Sequence, residues 1–234
     1  RVALSELLKS GVTTITDLSI SRPGWLDDLA ASGIRAIVAP MMRQGHWFTR
    51  NGHTVEYAWD EKAGAKAFEA AMQTIDQAMQ HPSGRLSGMV CPSQIDTCHE
   101  GYFKEALQEA RKRGIPMQTH ACQAVVEFHE IMHRYGKTPI EWLDAIGVLG
   151  PDLVIGHGIF LSDHPQIHYP HGNDFEILKD SGAAVAHCPT VFARRGMALN
   201  TMGRYMNAGI PVGIGTDTFP HNMVDEIRLA CYVA

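Results

Sequence analysis

No run of roughly 18 uninterrupted apolar residues occurs in this 234-residue chain, so it encodes no membrane-spanning helix. Arg1 opens no signal-peptide pattern. Positive charge is short as well: 20 Lys and Arg stand against 25 Asp and Glu, for a net charge of −5. Nothing in that balance draws the chain to phosphate backbones or anionic lipid, so neither nucleic acid nor a membrane is an expected partner. The five cysteines, Cys91, Cys98, Cys122, Cys188 and Cys231, are scattered and contain no C-x-x-C pair. That argues against a zinc ribbon or a disulfide framework and fits a reducing, cytoplasmic setting. No G-x-G-x-x-G or Walker loop supports a doubly wound nucleotide-binding sheet. The H-x-E plus P-C-x-x-C signature of zinc nucleobase deaminases is also missing.

What is present is ordinary globular composition, 45% apolar and 19% charged, enough for one domain over residues 1–234 with a large core. A phrase recurs along it: an amphipathic stretch, a small or polar residue, Gly, then a short apolar run. Gly11, Gly33, Gly114, Gly182 and Gly209 carry it, with less regular junctions near Gly84 and Gly150. Gly just past a helix end takes the left-handed conformation that other residues avoid, so each phrase reads as helix, cap, strand. The predicted strands are Val12–Asp17, Ile34–Met41, Leu86–Cys91, Ile115–His120, Leu153–His157, Ala183–His187 and Ile210–Asp217. Their spacing of about 33 residues is that of a β-α unit. Their continuous apolar character is that of parallel strands buried on both faces. Helices are predicted at Val2–Lys9, Glu61–Gln80 and Tyr102–Arg113. A helix ahead of the first strand suggests a further strand upstream, and the predicted fold is an α/β (β/α)8 TIM barrel lacking its first strand.

Thirteen histidines are the unusual count. Successive predicted strands end in His120, His157, His187 and Asp217, and in a parallel barrel such ends converge on one mouth. A single strand-end His reads most simply as a hydrogen-bonded rim residue; four consecutive His and Asp ends read as a metal site assembled without a local motif. Imidazole and carboxylate hold divalent ions, which make water acidic enough to supply hydroxide near neutral pH.

Thr119-His120, Gly156-His157, Ala186-His187-Cys188-Pro189 and Gly215-Thr216-Asp217, together with Gly11-Val12-Thr13-Thr14, resemble in order and spacing the amidohydrolase superfamily, in its cytosine deaminase-like and triazine chlorohydrolase-like branch. The resemblance covers essentially the whole chain. It implies a metal-dependent hydrolase with Zn or Fe that acts on a C–N, or less commonly C–Cl, bond of a small N-heterocycle or cyclic amide through a metal-activated hydroxide. Ring deamination is the leading reaction, and a small-molecule substrate and a homo-oligomer are the expected partners. By the same resemblance His120 and Asp217 are metal ligands, His157 contacts the metal-bound hydroxide or substrate in a mononuclear site or binds a second metal in a binuclear one, Asp217, His157 and Gln123 are the catalytic candidates, and an H-x-H pair is expected upstream of Arg1. Gln123 stands where many deaminases of the branch have an acid/base Glu, and Ser93 where adenosine-type members have His; both departures argue against a nucleoside deaminase. Glu127, a helical turn after Gln123, reads either as a solvated helix residue or as a replacement acid. A non-catalytic metal- or ligand-binding barrel relative remains the alternative function.

Further substrate-binding candidates are Ser93 and Gln94 at the fourth-strand phrase, His187, Arg195 and Trp47. Arg195 would bind an anionic group. Trp47 belongs to a long Met42–Asp60 segment whose aromatics either cover a planar substrate or pack the loop onto the barrel. One rival motif is literal: His129-Glu130-Ile131-Met132-His133 is an HExxH zinc-peptidase sequence. Its histidines flank an apolar helical stripe, which places them in an outer helical layer away from the mouth.

Overall fold

The computed structural model describes residues 2–199 and 201–233. In chain order the elements are α1 (Val2–Lys9), β1 (Thr14–Ser19), α2 (Trp25–Ser32), β2 (Arg35–Met42), β3 (Gly45–Phe48), β4 (Glu56–Trp59), α3 (Glu61–Met79), β5 (Leu86–Gly88), β6 (Cys91–Pro92) and α4 (Glu100–Arg113). They continue with β7 (Met117–Ala121), α5 (Val125–Tyr135), α6 (Pro139–Ala145), β8 (Leu153–His157), α7 (Asp174–Ser181), β9 (Ala184–His187), α8 (Pro189–Ala193), α9 (Met202–Asn207), β10 (Val212–Ile214) and α10 (Met223–Tyr232).

Two parallel sheets make the barrel wall. One runs β1-β2-β5, with β6 also paired to β2; the other runs β10-β9-β8-β7. Parallel bridges from Val90 to Met117 and from Gln94 to His120 join them, so β5 and β6 act as one interrupted stave between β2 and β7. The result is seven parallel staves in sequence order, a TIM-type α/β array. Among the described residues it stays open between β1 and β10. The capping phrase holds throughout: Gly11, Gly33, Gly114, Gly182 and Gly209 all have φ between 65° and 89°, the region where a Cβ is costly.

The core has two layers. Leu18, Ile37, Ala39, Met41, Met89, Cys91 and Val154, drawn from several staves, cluster inside the barrel. Outside, helix residues such as Phe103, Phe128, Ile131 and Trp142 pack with Met117, Ile155 and Val185. Phe103 and Trp142 meet edge to face at 5.6 Å. Each such buried side chain stabilises the fold by about 1.5–3 kcal/mol.

Two sequence expectations change. Met42–Asp60 is not a plain loop: β3 and β4 form an antiparallel hairpin in which Trp47 faces Tyr57. Asp60 then caps α3 by accepting from the Ala63 amide. The last stave ends at Ile214, not at Asp217, because β10 follows β9 only as far as the pairing of Ile214 with His187. Asp217 is carried by the following turn.

Candidate active site

β7 and β8 are in register along their full length, His120 opposite Gly156 and Ala121 opposite His157. This pairing sets the imidazoles of His120 and His157 side by side, centroids 5.1 Å apart and nearly parallel at 29°. Gly156 makes room for them: a Cβ there would lie 3.1 Å from His120 Cδ2 and 3.4 Å from the Thr119 carbonyl. Behind His157 the ring of Phe192 packs edge-on at 4.5 Å.

His120 is fixed from one side. Its Nδ1 donates to the Ser93 carbonyl, and its amide donates to the same oxygen at 3.1 Å. A carbonyl only accepts, so in the neutral ring Nδ1 carries the proton and Nε2 the lone pair. His157 and His187 are 4% and 1% exposed, and each has a buried Nδ1 with no hydrogen-bond partner. Burial pushes His187 down to about 4. Burial first, then repulsion from His120, His187 and Arg195, holds His157 well below the ordinary imidazole range. Both rings are therefore neutral at pH 7.

Asp217 sits at the rim with much of its surface open to solvent. Packing around its carboxyl still raises its pKa, against the attraction of His120, Arg195, Arg194 and His221. The site is also where backbone strain gathers. Of five described non-Gly residues with positive φ, three are Cys122 (56°), His157 (81°) and Asp217 (55°), just past or at the ends of β7, β8 and β10. Such strain persists only where surrounding structure enforces it.

The other predicted residues divide. Gln94 is bridged to His120. Ser93 turns its hydroxyl to Met41 Sδ at 3.8 Å and uses its carbonyl on His120, so it orients the ring. Gln123 follows β7 with its Nε2 buried and unpartnered. Arg195 is exposed, and its charge acts on both His157 and Asp217; Arg194 is tied to the Phe219 carbonyl and Thr218. Trp47 donates through its indole to Asp96 Oδ2 at 2.8 Å, so the hairpin is fastened to the barrel.

A model of the amidohydrolase family matches residues 1–234. The chain belongs to this family. It is 28% identical over 216 residues to a 5-methylthioadenosine/S-adenosylhomocysteine deaminase 2 of Archaeoglobus fulgidus, covering 92% of this chain and 47% of that one. The chain thus spans about half the length of the curated relatives it matches. Among solved structures, an adenosine deaminase of Xanthomonas campestris with bound zinc superposes with a TM-score of 0.78 at 22% identity, covering all of this chain and 49% of the other. An atrazine chlorohydrolase of Arthrobacter aurescens complexed with zinc gives 0.71 at 21% identity, with 94% and 49% covered. These neighbours share the barrel fold. Two of these names carry adenosine, whereas the sequence at Gln123 and Ser93 leads to the expectation of a substrate other than a nucleoside.

For an amidohydrolase chain, the donor chemistry at the mouth suits a divalent cation: an imidazole fixed through Nδ1, a second neutral imidazole and a carboxyl within electrostatic reach of the first. The geometry is looser than a closed site. Among the described residues no group of three or more His, Cys, Asp or Glu is disposed to hold a metal ion. The HExxH histidines lie elsewhere. His129 and His133 are exposed on α5, and Glu130 is ion-paired to Arg134 at 2.6 Å. No described helix is long and apolar enough to cross a membrane.

Glu127 and Asp96 were the least legible in the sequence. Glu127 is 0% exposed, not a solvated helix residue, because the turn after β7 closes over that face of α5 and its Cys122 amide donates to the carboxyl. The aromatic alternation of 46–48 against 57–59 could have revealed the hairpin, but not its attachment to Asp96.

Proposed function

We propose that this chain forms the catalytic mouth of a metal-dependent hydrolase that acts on a C–N bond of a small N-heterocycle or cyclic amide, with ring deamination as the leading reaction and C–Cl hydrolysis as a lesser one. The observation that carries this reading is the side-by-side placement of His120 and His157, with the Asp217 carboxyl within electrostatic reach of His120. His120 through Nε2, His157 and Asp217 would hold the cation, Zn or Fe. When bound, such an ion polarises water and brings its pKa from about 15.7 towards 7.

The chain's own residues would do the rest. Ser93 keeps the His120 ring and tautomer fixed, so no rotamer freedom is lost on binding. Asp217, with a raised carboxyl pKa and access to solvent, holds a proton and returns it to the leaving group. His157, kept neutral by burial, accepts a hydrogen bond or a ligand bond without first losing a proton. Gln123 offers an amide, which orients but cannot titrate. Arg195 would favour substrates bearing negative charge, and Gln94 and Trp47 would line the approach to the ring, with His187, 1% exposed, below the surface.

The test is turnover of a heterocycle panel, adenine nucleosides included, by the whole protein together with its metal content. Product formation that falls at least a hundredfold in Asp217→Asn supports the reading. The looseness of the donor set favours one alternative, a non-catalytic binding relative, which would retain ligand affinity while forming no product with any panel member.

A further inference from the structure

The short helix α8 reaches the candidate site through two neighbouring residues. Phe192 packs its ring edge-on against His157 at 4.5 Å. Arg194, just past the helix end, crosses to the turn that follows β10. Its Nη1 donates to the Phe219 carbonyl at 2.9 Å and its Nη2 to the Thr218 hydroxyl at 3.1 Å. Those acceptors belong to the two residues directly after Asp217. The turn has need of support, because β10 pairing stops at Ile214 and Asp217 has a φ of 55°, where a residue with a Cβ is strained. Within the turn the Thr218 amide donates back to the Thr216 carbonyl at 2.6 Å.

The other end of α8 is held as well. Pro189 opens the helix without an N–H, and the next amide, that of Thr190, donates to Glu226 Oε2 at 3.0 Å. Glu226 is 1% exposed and sits in the first turn of α10, the helix into which the Asp217 turn leads. Asn222 caps that helix by accepting from the Val224 amide at 3.1 Å. The links close a circuit: from Asp217 through Thr218 and Phe219 to Arg194, along α8 to Thr190, across to Glu226, and back along α10 to the turn. Arg194 is the link nearest the carboxyl.

We propose that Arg194 is a positioning residue whose two-pronged grip on Thr218 and Phe219 fixes the Asp217 carboxyl relative to His157, with α8 as the common mount of both groups. Its effect on turnover rests on the hydrolase reading above, but the grip does not. The rival account is charge alone, since Arg194 also lies within electrostatic reach of Asp217. Both acceptors of the guanidinium are neutral oxygens, however, and a planar fork spans two acceptors where an ammonium serves as a point charge. Arg194 is exposed, so replacing it leaves the core intact.

Steady-state kinetics of the zinc-loaded whole protein, on the fastest member of the heterocycle panel, test the role. Arg194→Ala should lower kcat by about tenfold or more with KM within about threefold, because the carboxyl is misplaced while the substrate still binds. Arg194→Lys keeps the charge and loses the fork, so it should stay at least about fivefold down. Wild-type kcat in Arg194→Lys overturns the proposal. Thr218→Val should lower kcat as well, and Thr218→Ser, which keeps the acceptor, should return it to within about twofold of wild type. The Arg194→Ala/Thr218→Val double variant should lie within about twofold of Arg194→Ala alone; additive losses overturn the grip.

Hydrogen exchange separates the grip from the hydrolase reading. In Arg194→Ala the amides of 218, 219 and 221 should lose protection by about fivefold or more, while those of 153–157 in β8 stay as in wild type. An unchanged turn, or equal loss in β8, overturns the proposal. If wild type turns over no panel member, the hydrolase reading fails and exchange alone decides the grip. If wild type is active and Arg194→Ala keeps kcat within twofold, the positioning role fails and the hydrolase reading stands.

Discussion

Trp47 and Tyr57 face each other across the hairpin, and both donate to a single oxygen of Asp96. The hairpin is thus fastened from both strands to one point on the barrel. Arg134 reinforces it, lying 4.4 Å from the Tyr57 ring centroid and 5.0 Å from that of Trp59. Trp47→Phe keeps the aromatic body and removes one donor to a carboxylate. Because Trp47 is 42% exposed, the expected loss is about 1–2 kcal/mol, with faster hydrogen exchange confined to the hairpin. Chemical denaturation and exchange mass spectrometry measure the two effects.

Replacing either of two mouth residues should separate chemistry from folding. Asp217→Asn and His157→Asn should each lower kcat/KM of the whole protein by about 10²–10⁴-fold, with a circular dichroism spectrum like that of wild type. His157→Asn should also lower metal content, measured by elemental analysis after equilibrium dialysis. Retained activity in both variants would contradict the proposed site.

The HExxH histidines should be silent. His129 and His133 are exposed on α5, so the double replacement by Ala is expected to change stability by no more than about 0.5 kcal/mol. Activity should remain within about twofold of wild type. A peptidase built on that motif would lose all turnover.

Acid should destabilise the chelator-treated protein in part through His187. Its pKa falls from 6.5 to about 4 on folding because burial penalises the imidazolium. The folded state therefore binds fewer protons than the unfolded chain between those values. The stability it contributes is complete above about pH 6.5 and is lost as pH falls towards 4, an effect on the order of 3 kcal/mol. Urea denaturation at a series of pH values should show this slope in wild type and a flatter one in His187→Gln.

The fold was legible because its determinants are local. Gly11, Gly33, Gly114, Gly182 and Gly209 punctuate helix and strand by backbone sterics alone, and the apolar runs between them mark buried staves. His120 and His157 were found for the same reason, since each lies at or next to the end of a stave. Asp217 was read as a strand end, whereas β10 stops at Ile214 and a turn with φ of 55° at Asp217 carries the chain onward. Glu127 was hidden by a general difficulty. On a helical wheel a glutamate marks the wet face, and only the folded structure, here the turn at Cys122 closing on its carboxyl, shows that the face is dry. The hairpin's attachment to Asp96 was invisible for the same reason.

Gly156 has a consequence that reaches beyond its own position. Where it faces His120, the missing methyl leaves the gap in which the two imidazoles lie against each other. Alanine there would come within 3.1 Å of His120 Cδ2 and press the ring by a few tenths of an ångström. One hydrogen atom in place of a carbon thus spares the paired rings that displacement at the point where they stack.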